Sequence, residues 1–136
     1  MLLSINENDP RPIYLQLITQ VKEQVGNGAL RPDDELPSVR ELADSLGINM
    51  HTVRSAYLKL QEQGIIVLHL GRRARIARRL PVLKDPNLAP EFQSRLKEVI
   101  TDALLAGIDP SDLRELLDQQ ITEMQQTKTK SKEHKQ

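Results

Sequence analysis

The sequence predicts a mostly α-helical protein that also contains one small β-hairpin. Aromatic residues make up 2% and hydrophobic residues 38% of the 136 residues, so the chain lacks the aromatic side chains that β-sandwiches place on their strands. It uses Leu, Ile, Glu, Gln and Arg instead, most of which favour helices. Apolar residues recur at helical spacing in five segments, and in one short segment the pattern changes to that of strands.

Composition also excludes several classes of function. The chain has no cysteine, which excludes disulfides, cysteine-ligated metal centres and thiol nucleophiles. Its three histidines are scattered and do not predict a zinc site. We expect a cytoplasmic protein with no membrane partner, because no apolar run reaches the roughly 18 residues of a membrane span and no signal peptide is recognisable. We expect neither an enzyme nor a cofactor, because the sequence contains no catalytic constellation and no phosphate-binding glycine loop.

Two helices are predicted at the start of the chain. In the first, apolar residues recur at four-residue spacing over residues 13–25, after Pro12, and the helix stops at Gly26. The second begins at Ser38 and ends at Gly47.

The second and third helices are predicted to lie on either side of a short turn. Ser38 and Glu41 fit a capping box, in which the hydroxyl and the carboxylate each satisfy a backbone donor at the start of the second helix. The third helix begins at Asn49 or Met50, and Gly64 is its expected C-cap. Two helices joined in this way form a helix-turn-helix motif.

A β-hairpin is predicted after the third helix. Residues 65–70 are apolar and β-branched at their start, residues 71–73 are a plausible turn, and residues 74–77 form the return strand. Three helices followed by a hairpin describe a winged helix-turn-helix, which we assign to a DNA-binding domain over residues 1–80.

The rest of the chain is predicted to form a linker and two helices. Prolines 81, 86 and 90 mark the linker, and apolar patterns around residues 92–104 and 113–124 mark the helices, separated by a break over residues 107–111. We assign residues 81–127 to dimerisation and expect the basic tail, residues 128–136, to be disordered. The expected dimerisation residues are Leu96, Val99, Ile100, Leu104, Leu113, Leu116, Leu117 and Ile121.

Polar and basic residues cluster where such a domain would contact DNA. The third helix of a helix-turn-helix enters the major groove, and residues 49–54 at its start carry Asn, His, Thr and Arg side chains that can read bases or hold phosphates. Arg40, near the start of the second helix, is placed to contact a phosphate. Residues 71–79 contain five arginines and no acid, and Arg72 and Arg73 lie at the expected hairpin tip, where arginine can enter a minor groove.

Four motifs resemble those of the GntR family of bacterial transcription regulators. They are PIYLQL at residues 12–17, LPSVRELA at residues 36–43, TVRSAY at residues 52–57 and QGII at residues 63–66. The match covers roughly residues 10–77. The opening motif and the short C-terminal segment look like the YtrA subfamily, in which two C-terminal helices dimerise.

The resemblance implies which residues contact DNA. It places Arg40 at the DNA backbone or a base, the start of the third helix at the recognition surface, and Gly71 and Arg72 at the wing tip. Family wings read close to Gly-x-Gly-Thr-Phe-Val, whereas this chain has Arg73 and Arg75 in place of the second glycine and the aromatic residue. The candidate DNA-binding residues are Ser38, Arg40, Asn49, His51, Thr52, Arg54, Gly71, Arg72 and Arg73.

These observations predict a homodimeric repressor that binds double-stranded DNA at an inverted repeat. The alternative is a winged helix that binds a protein or an RNA. The arginines of the hairpin could instead pair with acids of residues 81–127 and dock the two parts of the chain, while the acids at residues 33–35 are interpreted as a solvated loop. The sequence identifies no small-molecule effector.

Overall fold

The computed structural model describes residues 3–82 and 89–134, with side chains as far as Thr127. The chain divides into two compact units, the first containing the first three helices and the hairpin, and the second containing the fourth helix and most of the fifth. The elements, in chain order, are α1 (Ile13–Gly26), α2 (Val39–Leu46), α3 (Met50–Glu62), β1 (Ile66–Val67), β2 (Arg75–Ile76), α4 (Pro90–Leu105) and α5 (Pro110–His134). This confirms the predicted fold class.

Helix α2 begins and ends at the predicted residues. Ser38 is its N-cap, and the Ser38 hydroxyl oxygen accepts a hydrogen bond from the backbone N–H of Glu41 at 3.0 Å. The reciprocal half of the predicted capping box is wrong, because the Glu41 carboxylate accepts a hydrogen bond from Arg73 instead. The helix ends where Gly47 adopts a left-handed conformation, with φ at 67°, which glycine reaches without steric cost.

Helix α3 starts at Met50 because Asn49 caps it. The Asn49 side-chain oxygen accepts a hydrogen bond from the backbone N–H of His51 at 2.8 Å. At the other end Gln63 is the C-cap, and Gly64, predicted for that position, follows it with φ at 76°. The helix packs against α1 and α2. Its buried side chains are Val53, Ala56, Tyr57 and Leu60.

Tyr57 ties α3 to the start of α2. Its side chain is only 2% exposed, and its hydroxyl donates a hydrogen bond to the backbone carbonyl of Pro37 at 2.6 Å. Pro37 directly precedes the N-cap of α2. Burial raises the pKa of the Tyr57 phenol well above its usual value, and the negative charge of Glu41 adds to this rise.

The hairpin is shorter than predicted. Its strands β1 and β2 pair antiparallel, with Ile66 opposite Ile76, and each strand has two residues rather than the four to six expected. Ile66 and Ile76 are both buried, whereas Leu70 is fully exposed. The pairing of the two strands therefore stops where the chain leaves the core.

A third segment of chain pairs with β2 on its other edge. Residues 33–36 contribute a bridge between Glu35 and Arg75, and the backbone N–H of Leu36 donates to the carbonyl of Ala74 at 2.8 Å. The acids at residues 33–35, interpreted from the sequence as a solvated loop, do expose the side chains of Asp33 and Glu35, while their backbone is hydrogen-bonded to the hairpin. Nothing in the local sequence pattern indicates a strand here, since its partner lies about 40 residues away along the chain.

Two glutamines of α1 hold the N-terminal segment in place. Gln16 is 4% exposed, and its side-chain amide bonds both the N–H and the C=O of Asn6, at 3.0 and 3.2 Å. Gln20 binds the backbone of Ser4 in the same reciprocal way, at 3.0 and 2.6 Å. The spacing of the two glutamines on the helix matches the spacing of Ser4 and Asn6 in the segment. Residues four apart in a helix and residues two apart in an extended chain are both separated by about 6–7 Å.

The second unit consists of α4 and most of α5, joined by a turn at Gly107, whose φ is 85°. Pro90 and Pro110, predicted to lie in the linker and the helix break, are the first residues of the two helices. A proline fits this position because the first helical N–H needs no partner within the helix. Pro86 lies outside the described residues.

The predicted disorder of residues 128–136 is wrong for residues 128–134, where α5 continues to His134. This stretch contains neither glycine nor proline, so nothing stops the helix there. Residues 135–136 lie outside the described part of the chain. Among the helices that the structure describes, none is both long and apolar enough to cross a membrane. No group of three potential metal ligands is found within the described residues.

We expect the substitution Tyr57→Phe to lower the free energy of unfolding by about 1 kcal/mol, because it leaves the Pro37 carbonyl without its donor. Urea denaturation followed by circular dichroism measures this. Tyr14→Phe is the matched control, since Tyr14 is 39% exposed. An equal effect of the two substitutions would contradict a specific role for the Tyr57 hydroxyl.

The same variant tests the raised pKa of Tyr57. Because this pKa lies higher in the folded state than in the unfolded state, the folded chain keeps a proton that the unfolded chain releases above about pH 10. The stability of the wild type should therefore fall as the pH rises beyond 10, and Tyr57→Phe should remove part of this fall. Denaturation curves between pH 8 and pH 11.5 measure the difference.

Candidate nucleic-acid interface

The exposed face of α3 presents a short row of side chains to solvent. His51, Arg54, Ser55 and Leu58 are exposed, whereas the opposite face of the helix is buried. Their spacing of three, four and seven residues from His51 places them on one side of a helix. The sequence prediction included His51 and Arg54 and missed the other two, although the same spacing could have identified them.

His51 and Arg54 interact directly. Arg54 Nη1 lies 3.3 Å from His51 Nδ1. A guanidinium has donors and no acceptor, whereas an imidazole can both donate and accept through its two ring nitrogens. The pair thus presents a guanidinium and an imidazole N–H next to each other, and both can donate to base edges or phosphates.

Asn49 and Ser38, two of the predicted DNA contacts, serve as helix caps. The side-chain oxygen of each accepts a hydrogen bond from the first turn of its helix. Each side chain still has donors, the amide hydrogens of Asn49 and the hydroxyl hydrogen of Ser38. Thr52, on the first turn of α3, is half-buried. Contact of these three residues with DNA stays a prediction.

Arg40 lies exposed in the first turn of α2. It forms no ion pair with any of the residues that the structure describes. The free backbone N–H groups of a helix start favour a negatively charged ligand, and a nearby arginine adds to this preference. The position therefore suits a phosphate of the DNA backbone.

The tip of the hairpin is formed by Gly71 and Arg72. Gly71 adopts a left-handed conformation, with φ at 74°, and Arg72 N–H donates to the carbonyl of His69 at 3.1 Å to close the turn. Arg72 is exposed, and within the described residues it takes part in no ion pair. The sequence predicted both Arg72 and Arg73 at this tip, and of these two only Arg72 is without an ion pair within the described residues.

Arg73 is engaged with acids that come from outside the hairpin. Its Nη2 lies 3.0 Å from the carboxylate of Glu41, at the start of α2, and its Nη1 lies 3.9 Å from that of Glu35. Arg75 Nη2 binds the other oxygen of Glu35 at 2.7 Å, and its Nη1 donates to the carbonyl of Asp33 at 3.0 Å. The two arginines share Glu35, as expected for residues two apart on one face of a strand.

Arg78 completes this series, with its Nε 3.1 Å from the carboxylate of Asp33. We call the side chains of Asp33, Glu35, Glu41, Arg73, Arg75 and Arg78 the charge ladder. The hairpin is therefore less positive than its sequence indicates, because acids distant in sequence compensate three of its five arginines. The three acids of the ladder all come from residues 33–41.

Comparison with known proteins identifies the family of this chain. The model of the family described as bacterial regulatory proteins, gntR family, matches residues 13–76. The HTH-type transcriptional repressor YtrA of Bacillus subtilis is 36% identical over 114 residues, which cover 84% of this chain and 88% of the repressor. The chain belongs to the GntR family. This confirms the resemblance that the sequence motifs indicated, including the likeness to YtrA.

Two solved structures of other proteins resemble the fold of this chain. A crystal structure of a transcriptional antiterminator from Listeria monocytogenes matches with a TM-score of 0.81 and 31% identity, over 92% of this chain and 93% of that chain. The DNA-binding domain of AraR in complex with operator ORX1 matches with a TM-score of 0.51 and 26% identity, over 57% of this chain and 99% of that chain. The likeness to the AraR domain extends over little more than half of the chain, whereas the antiterminator matches nearly all of it.

The two exposed arginines of the helix-turn-helix should differ in what their loss does to DNA binding. Arg54→Ala should cost roughly 1–3 kcal/mol and relax the preference at one base position if Arg54 reads a base. Arg40→Ala should weaken binding uniformly across sequences, because its position suits a phosphate. Anisotropy titrations with a binding duplex and its single-base variants measure both.

Arg95→Ala is the matched control, because Arg95 is an exposed arginine on α4, outside the helix-turn-helix. It should leave DNA affinity unchanged. Unchanged binding by the Arg40 and Arg54 variants as well would contradict this orientation of the domain on DNA.

Proposed function

We propose that this GntR-family protein is a transcriptional repressor that binds an inverted-repeat operator in double-stranded DNA as a homodimer. The observation that carries the proposal is the row of side chains on the exposed face of α3, in a domain that also exposes Arg40 at the start of α2 and Arg72 at the wing tip. It is supported by a relative in Bacillus subtilis that is a transcriptional repressor and by the AraR domain in complex with its operator.

In this proposal each element has one task. Residues at the start of α3, namely Asn49, His51, Thr52 and Arg54, contact base edges in the major groove. Ser38 and Arg40 bind the phosphate backbone at the start of α2, where the helix dipole favours negative charge. Gly71 and Arg72 bring the wing tip to the neighbouring minor groove, with Arg73 directly behind them.

A protein partner on α3 is less well supported than DNA. Leu58, 52% exposed, is the single large apolar side chain on the exposed face of α3. Protein interfaces are centred on apolar and aromatic anchors, whereas nucleic-acid interfaces are polar and positively charged.

A protein that binds the chromosome of a bacterium is cytoplasmic, which agrees with the localisation expected from the sequence.

The second unit supplies the proposed dimer interface. Its two helices leave an apolar groove of about 370 Å³, and six of the eight predicted dimerisation residues line it: Leu96, Val99, Ile100, Leu104, Leu113 and Leu117. Leu116 and Ile121, the other two, are 46% and 47% exposed. Large contiguous apolar patches rarely stay exposed on soluble proteins and mark interfaces. A second copy of the same helices is self-complementary about a two-fold axis and would bury this patch.

Dimerisation also supplies the affinity that one small domain lacks. A single winged helix contacts a few base pairs, and linking two of them makes the second contact intramolecular, which raises affinity 10²–10⁴-fold. Two-fold symmetry in the protein requires two-fold symmetry in the operator, with half-sites related by the helical repeat of DNA. In this proposal residues 1–80 bind DNA and residues 81–127 hold the dimer together.

The decisive experiment selects binding sites for the full chain from random double-stranded DNA. The expected result is an enriched inverted repeat, and the same sequence prepared as duplex RNA should bind weakly, because α3 cannot enter the narrow major groove of RNA. Enrichment of no sequence, or preference for the RNA, would overturn the proposed function.

The dimer interface can be tested by one substitution. Val99 lies in the apolar groove and is 61% exposed, so Val99→Asp should leave each chain folded and shift the protein to a monomer. Operator affinity should fall at least tenfold, because two half-sites are no longer bound together. Truncation after Leu80 should give the same two results. Sedimentation and anisotropy titrations measure them.

Thr101→Asp is the control for Val99→Asp. Thr101 lies on the polar side of α4, in a cleft with Ser94 and Lys97, so the same acid placed there should preserve the dimer. A Val99→Asp protein that still sediments as a dimer would place the interface elsewhere.

A further inference from the structure

The charge ladder is held by a rigid framework of backbone. Residues 33–36 and residues 74–76 are joined by three backbone hydrogen bonds, including one from the N–H of Ile76 to the carbonyl of Asp34 at 2.9 Å. The side chains of Glu35 and Arg75 therefore lie opposite each other as a cross-strand pair. The acid and the arginine are positioned by the sheet itself, before any ligand is bound.

Folding stability does not explain the ladder. The side chains of Glu35, Glu41, Arg73 and Arg75 are all close to half-exposed, and that of Arg78 is 82% exposed. Ion pairs at this exposure contribute little to the stability of a fold, because water and salt screen them. The effect of the ladder must then be sought in the charge and the geometry that the wing presents to a ligand.

We propose that Glu35 and Glu41 are specificity-determining residues, which hold Arg73 and Arg75 away from the DNA phosphates, so that of Arg72, Arg73 and Arg75 only Arg72 makes an ionic contact with DNA. This inference rests on the proposed DNA-binding function. It differs from the expectation that Arg73 contacts DNA, because it makes Arg73 a positioning residue that fixes the wing against the start of α2.

Three features oppose the transfer of these arginines to a phosphate. Arg73 is shared by two carboxylates, and Arg75 bonds both the Glu35 carboxylate and the Asp33 carbonyl. Withdrawing Arg73 would break both of its contacts, and withdrawing Arg75 would break both of its own. It would also leave the two carboxylates facing the negatively charged phosphates, which like-charge repulsion disfavours.

The consequence for recognition is a limit on sequence-independent affinity. Each arginine on a phosphate adds affinity for every DNA sequence alike, which lowers the ratio of specific to non-specific binding. Without the two glutamates, Arg73 and Arg75 would add such contacts on both wings of a dimer. By retaining them, Glu35 and Glu41 leave a larger share of the binding free energy to the base contacts of α3.

Salt dependence distinguishes an arginine that contacts phosphate, as proposed for Arg72, from one held by carboxylates, as proposed for Arg73. The reason is that log affinity falls with log salt by about 0.9 for each phosphate contact. The full chain is titrated over a salt series with its selected operator and with an unrelated duplex of equal length. Arg72→Ala should reduce the slope by about 2 for the dimer, whereas Arg73→Ala should change it by less than about 0.5. The double variant Glu35→Gln with Glu41→Gln should increase the slope by about 2 or more and raise affinity for the unrelated duplex roughly tenfold or more.

The matched control is the double variant Glu91→Gln with Glu98→Gln, which removes the same two charges from exposed positions on α4. It should keep the slope of the wild type. Should the Glu35 and Glu41 double variant fail to fold, as judged by circular dichroism, the comparison of Arg72→Ala with Arg73→Ala still decides the inference.

Several results would overturn the inference. They are a slope reduced as much by Arg73→Ala as by Arg72→Ala, a slope unaffected by Arg72→Ala, and a folded glutamine double variant with the slope of the wild type. Each leaves the proposed function intact, because the wild type still binds DNA. Absence of salt-dependent duplex binding by the wild type would instead overturn the proposed function, and the inference with it.

Discussion

The hydrogen bond from the Tyr57 hydroxyl to the Pro37 carbonyl joins the two helices on which the candidate interface depends. A phenol buried among apolar side chains must find an acceptor, because an unpaired hydroxyl there costs free energy. The hydrogen bond therefore fixes the orientation of α3 about its own axis, with Tyr57 pointing inwards and Arg54 pointing outwards. The next residue after Pro37 is Ser38, which caps α2, so the same few atoms set where α2 begins and which face α3 exposes.

Charge in this protein is arranged by compensation across distant segments. The chain has 19 basic and 19 acidic residues, and its most basic stretch lies in the hairpin. The ladder neutralises much of that stretch, while Arg40, Arg54 and Arg72 stay outside it on three different elements. Positive charge at a few separated points suits a surface that must fit one arrangement of phosphates rather than attract any polyanion.

Much of the fold could be predicted because its signals are local. The cap at Ser38 and the glycine at residue 47 act within one turn of the helix that they bound, and the structure confirms both of them. Local signals misled where one residue type has two uses. The sequence pattern places Pro90 in the linker and Pro110 in the helix break, although proline also begins helices.

The ladder could not have been predicted in the same way. Arg73 and Glu41 are 32 residues apart, and Arg75 and Glu35 are 40 apart, so no periodic pattern connects them. The length of the strands depends in turn on where the hairpin leaves the core, which is a property of the packed structure. For the interface, the sequence could identify the polar residues of α3, but only the fold separates Arg72 from its neighbour Arg73.

The clamp formed by Gln16 and Gln20 has a consequence for how the N-terminal segment can vary. Both glutamines bind backbone atoms of Ser4 and Asn6, so neither bond depends on the side chain at those two positions. Substitution there is tolerated as far as the clamp is concerned, with proline excepted, because proline has no N–H to donate. The positions that must keep their side chains are therefore those of the two glutamines in α1. Each glutamine supplies a donor and an acceptor that no shorter or charged side chain reproduces.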